Sequence, residues 1–130
     1  MNLRTWDHSI ALYQSEAQAL KAALEAYHYR LAAGAEQRPL TLAQALSIKP
    51  TTQVLARVSR LVASPWPRPA PGRPARPRKL RLEFDEQLQL CALYAAGQLR
   101  ASLPGQVLEL RDVLGRVHRQ AQPLTAYFQL

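Results

Sequence analysis

Leu3 to Gly34, LRTWDHSIALYQSEAQALKAALEAYHYRLAAG, is the stretch on which the fold reading turns. Leu3, Trp6, Ile10, Tyr13, Ala17, Leu20, Leu24, Tyr27 and Leu31 recur at alternating intervals of three and four, the spacing of an apolar seam along one side of an α-helix. Thr5 or Asp7 can cap the start, Gly34 can supply a left-handed end, and no proline intervenes. The spacing predicts one helix from about Trp6 to Ala33, roughly 42 Å long at 1.5 Å per residue. Its seam requires cover, either from other helices of the chain or from a second copy in a homodimer.

Working outward, Thr41 can cap a helix over Leu42 to Ser47, which Pro50 is expected to end. A further helix from Thr51 or Thr52 carries Val54, Leu55, Val58, Leu61 and Val62 on one side and Gln53, Arg57 and Arg60 on the other. Residues 41–63 thus read as a basic helical hairpin. Residues 64–79, SPWPRPAPGRPARPRK, hold six prolines and read as a semi-rigid extended arm. Leu80 to Phe84 alternates and fits either a short strand or a lead into a helix capped by Asp85, with Leu88, Cys91, Ala95 and Leu99 at helical spacing. Gly97 weakens that helix. After Leu103-Pro104-Gly105 comes a last helix through Val107, Leu110, Leu114, Val117 and Ala121, closed by Pro123, with Tyr127 and Phe128 in a docking tail. A loop this short makes the last two helices antiparallel neighbours.

The expected architecture is therefore mainly α and a single domain over 1–130. The long N-terminal helix packs with a C-terminal helical hairpin, while the basic hairpin and the Pro/Arg-rich arm occupy the middle.

Charge is concentrated in that middle. The chain of 130 residues has 17 Lys and Arg against 9 Asp and Glu. Residues 37–82 hold ten of the basic residues and no acidic one, leaving 7 basic and 9 acidic elsewhere. Charged surfaces ordinarily mix both signs, so this segment predicts an anionic partner. DNA leads, ahead of RNA, an acidic protein or a larger complex. Lys49, Thr51, Thr52, Gln53, Arg57, Arg60, Trp66, Arg68, Arg73, Arg76, Arg78, Lys79 and Arg81 are the candidate contacts.

Two local resemblances point the same way. Leu42-Ala43, Ser47, Ile48 and Thr51-Thr52 are spaced so that 41–63 resembles a helix-turn-helix segment of the winged-helix kind. In such a segment Ser47 makes the turn, Ile48 plugs the corner and the threonines cap a recognition helix. Gln53 stands where that pattern has an apolar residue. Gly72-Arg73-Pro74 resembles the core of an AT-hook, which implies a guanidinium in a narrow minor groove, although Pro71 replaces the Arg expected before the glycine.

Chemistry that would mark an enzyme is not found. His8, His28 and His118 form no ligand spacing with Cys91, which reads as a buried apolar residue, and Glu83, Asp85 and Glu86 read as helix-start carboxylates. No catalytic, cofactor or metal motif is read, no membrane span is expected, and an intracellular location, cytoplasm or nucleoid, is inferred. The expected function is a small non-enzymatic nucleic-acid-binding protein. The alternative is a helical adaptor or assembly factor whose arm docks on an acidic protein or ribonucleoprotein.

Overall fold

The computed structural model describes residues 8–68 and 70–128, the final six as helical backbone alone. Leu3, Thr5, Trp6 and Asp7 lie outside it, as do the side chains of Tyr127 and Phe128. The order is β1 (His8–Leu12), α1 (Gln14–Ala35), α2 (Leu42–Ala63), β2 (Arg78–Leu82), α3 (Phe84–Ala95), a 3-10 turn (Pro104–Gln106) and α4 (Val107–Phe128). The protein is mainly helical, with one small two-stranded sheet.

The N-terminal segment is not one helix from Trp6. Ile10 and Leu12 alternate with exposed Ser9 and Ala11, and this period of two is satisfied by pairing with β2. Helix begins at Gln14, where Glu16 accepts the N–H of Tyr13 at 2.9 Å. From Ala17 to Leu31 the seam holds as read: Ala17, Leu20, Leu24, Tyr27 and Leu31 are all buried within the single chain. That half of the seam is covered by the chain's own helices, leaving it no surface for a second copy. Leu80 to Leu82 likewise resolves as strand, and α3 is capped at Glu83 instead of Asp85.

Residues 42–63 form one uninterrupted helix, so the expected break at Pro50 does not occur. Thr41 caps it as anticipated, its Oγ1 accepting from Gln44 N at 3.1 Å. On either side of Pro50, hydroxyls bind the helix's own backbone and the neighbouring helix. Thr51 Oγ1 donates to Ser47 O at 2.6 Å, and Ser47 Oγ donates to Gln44 O at 2.7 Å. From α1, Tyr27 Oη meets Ser47 Oγ at 2.7 Å and His28 Nε2 meets Thr51 Oγ1 at 2.7 Å. Proline removes one rung of the helix, and tertiary hydrogen bonds on both sides of it hold the backbone in line. Helix α4 similarly runs past Pro123 to Phe128.

Glycines end the elements differently from the expectation. Gly34 stays inside α1, whereas Gly97 takes φ 72° and terminates α3. Gly97 N donates to Tyr94 O and Gln98 N to Leu93 O, the paired bonds of a left-handed helix stop. Leu99 therefore lies beyond α3, yet is buried.

The two strands are antiparallel, with Ile10 opposite Leu80, His8 opposite Leu82 and Leu12 opposite Arg78. That register has a pseudo-two-fold axis at the Ile10–Leu80 pair, and the symmetry extends beyond the strands. Ile10, Leu12 and Glu16 repeat as Leu80, Leu82 and Glu86, and VLARVSR at 54–60 repeats as VLGRVHR at 113–119. Val54, Val58, Val113 and Val117 are all completely buried. The chain is thus two strand-helix-helix units, 8–63 and 78–128. Each unit's first helix packs on the second helix of both units, α1 on α2 and α4, and α3 on α4 and α2. The core lies beneath the ribbon, around Leu20, Leu24, Leu90, Leu110 and Leu114.

Candidate nucleic-acid interface

Each strand buries alternate residues, so the ribbon has one apolar face and one outward face. Ile10, Leu12, Leu80 and Leu82 go inward; Ser9, Ala11, Lys79 and Arg81 are exposed on the other side. Ser9 lies opposite Arg81 and Ala11 opposite Lys79. The outward face therefore carries two long cations on β2 facing two small residues on β1.

Helices α2 and α4 hold the two outer edges of the ribbon. Arg57 Nη1 donates to Arg81 O at 2.8 Å and to Glu86 Oε1 at 2.6 Å, while Nη2 reaches Glu86 Oε2 at 2.6 Å. Glu83 lies 3.9 Å from the same guanidinium. In the other half Arg116 Nη1 donates to Ala11 O at 2.7 Å and to Glu16 Oε1 at 2.8 Å, and Nη2 binds Glu16 Oε2. Gln120 Nε2 adds a bond to Ser9 O at 3.2 Å. Hydrogen bonding to Glu86 raises the Arg57 pKa above its ordinary value, and Glu16 does the same for Arg116, in each case against the desolvation that lowers it. These guanidiniums satisfy edge carbonyls that would otherwise face solvent or another strand, and they fix the ribbon's position on the helices.

Beside β2 lies an open groove of about 470 Å³ lined by Arg57, Arg60, Ser64, Lys79 and Arg81. Arg60 is exposed on α2, and Arg119 occupies the equivalent position on α4. The arm is pinned at its base. Trp66 packs against the core and its Nε1 donates to Leu61 O at 3.2 Å; the Arg78 guanidinium sits 4.4 Å from the Trp66 ring centroid and also binds Pro65 O. Between these anchors the chain turns at Gly72, which has φ 82°, and Arg73 N donates to Ala70 O. Arg68, Arg73 and Arg76 are exposed around a shallow pocket in this loop.

The candidates named from sequence thus separate. Arg60, Lys79 and Arg81 come together at the ribbon, with Arg57 holding the backbone beneath them; Arg68, Arg73 and Arg76 stand on the adjoining loop. Thr51 is buried in the α1–α2 hydroxyl network and cannot face a partner. The helix-turn-helix reading fails with it, because Ser47 and Ile48 are helical and make no turn. Lys49 and Thr52 are exposed and Gln53 is half-buried; Lys49 lies about 16 Å along α2 from Arg60 at 1.5 Å per residue. Trp66 and Arg78 are occupied with each other.

No family model, curated protein or solved structure matches this chain.

Sequence reading missed Ser9, Ala11, Arg116 and Arg119. The visible signal was the repeated V-L-x-R-V-x-R in α2 and α4, together with the glutamate four residues after each strand's last buried leucine. Among the described residues no group of three His, Cys, Asp or Glu side chains is placed to hold a metal, and no helix is long and apolar enough to cross a membrane.

Proposed function

We propose that the protein binds double-stranded DNA without catalysis, laying the β1–β2 ribbon in the major groove while the 67–77 loop meets flanking phosphates. The observation that carries this reading is the outward ribbon face, with Lys79 and Arg81 opposite Ala11 and Ser9. A B-form major groove is about 12 Å wide and admits a two-stranded ribbon. Strands lie about 4.8 Å apart, and small side chains on β1 let the backbone approach the bases. Duplex RNA suits the same face poorly, because its major groove is deep and narrow.

The test is fluorescence anisotropy with labelled duplex DNA, single-stranded DNA and duplex RNA across a salt series. If Arg60, Arg68, Arg73 and Arg76 neutralise four phosphates, log K falls against log salt with a slope of about −4. Duplex DNA is expected to bind best, and Lys79→Ala with Arg81→Ala to weaken it most. Absence of duplex binding at low salt overturns this reading in favour of an acidic protein partner.

A further inference from the structure

On the reading that the ribbon enters the major groove, we infer that one chain recognises a directional, non-palindromic duplex whose guanines are read from the β2 side. A two-fold symmetric protein presents identical side chains at both ends of its site, and its DNA site is correspondingly palindromic. This chain contains both halves of such an arrangement, so the halves are free to differ, and at the ribbon they do. The pseudo-two-fold relates Ser9 to Lys79 and Ala11 to Arg81. Both outward positions that bear a cation on β2 bear a small, uncharged residue on β1.

The chemistry of those side chains names the bases. Lys and Arg donate to the O6 and N7 acceptors of guanine, Ala makes apolar contact with the thymine methyl, and Ser accepts either pairing. Lys79 and Arg81 are two residues apart, about 6.7 Å along a strand, close to two base-pair steps of about 3.4 Å. The β2 side therefore demands guanines within two steps of one another, and the β1 side tolerates A·T pairs with a thymine near Ala11. The loop joins β2 at Arg78, adding its cations to one unit only of the ribbon. The anchorage of the ribbon is symmetric, since Arg57 and Arg116 hold both edges in the same manner. The asymmetry resides in the face presented outward.

The experiment is selection of binding sites from a duplex library with a randomised centre, followed by mass measurement of the complex. The expected result is a guanine-containing motif without dyad symmetry, bound one chain per duplex. Lys79→Ala is expected to cut the preference for one guanine about tenfold, the scale of one base-reading contact. Ser9→Lys combined with Ala11→Arg alters only exposed positions and is expected to turn the selected motif palindromic. A palindromic motif with the unaltered chain, two chains per site, or tight binding with no base preference overturns the inference while leaving DNA binding standing. Absence of binding to every duplex overturns both.

Discussion

Arg57 and Arg116 perform the same task in opposite halves of the molecule. Each grips a glutamate in the first turn of the helix following a strand, and each also binds the carbonyl of that strand's penultimate residue. Glu86 is fully buried and Glu16 nearly so. Removing either arginine strands a desolvated carboxylate, for which about 3 kcal/mol of destabilisation is expected. Arg57→Ala and Arg116→Ala should shift urea midpoints by similar amounts. The two losses should add in the double variant, since the sites share no partner.

His28 makes stability depend on pH. Burial lowers its pKa from the ordinary value, and its Nε2 is engaged with Thr51. The unfolded chain takes up a proton at about pH 6.5, before the folded chain does. As pH falls below that value, protons favour the unfolded state, and stability declines until the folded pKa is reached. Denaturation midpoints measured between about pH 7 and 5 should therefore fall less steeply in His28→Gln than in the unaltered protein. An identical slope in both would remove His28 as the cause.

Cys91 is half-buried between α3 and α4, and burial pushes its thiol up to about 11. Near neutral pH the folded protein then holds about a hundredfold less thiolate than an ordinary cysteine. Alkylation by iodoacetamide should be slow in the native protein and become ordinary in urea. Rapid native labelling would contradict the burial described.

Trp66 and Arg78 close the base of the arm by a cation-to-ring contact at 4.4 Å. A double-mutant cycle on Trp66→Ala and Arg78→Ala should return a coupling of about 0.5–1 kcal/mol. The Trp66 variant alone should cost more, because the ring also packs on the core. Zero coupling would mean that the cation-to-ring contact adds nothing to the anchorage that Trp66 makes with the core and Leu61.

What could be read from sequence followed the range of the forces involved. The seam from Ala17 to Leu31, the Thr41 cap and the antiparallel α3–α4 pair are local patterns, and each was legible. The pairing of Ile10 with Leu80 was not, because each strand is five residues long and its partner lies 70 positions away. In isolation Ile10 fits a helical seam as well as a strand. Pro50 misled for a related reason: its local preference is a break, and the hydroxyl bonds of Tyr27, His28, Ser47 and Thr51 override it. The concentration of positive charge in the middle third was legible, but the placement of its cations on a ribbon face required the register.

The Ile10–Leu80 pairing also governs the order in which the chain can fold. Closing a loop of 70 residues costs roughly 4 kcal/mol of chain entropy from the logarithmic loop term, more than a five-residue ribbon can return alone. The strands can join only once helices from both units have begun to pack, and β1 must wait for the second unit to be synthesised. Until then Ile10 and Leu12 remain an open apolar edge.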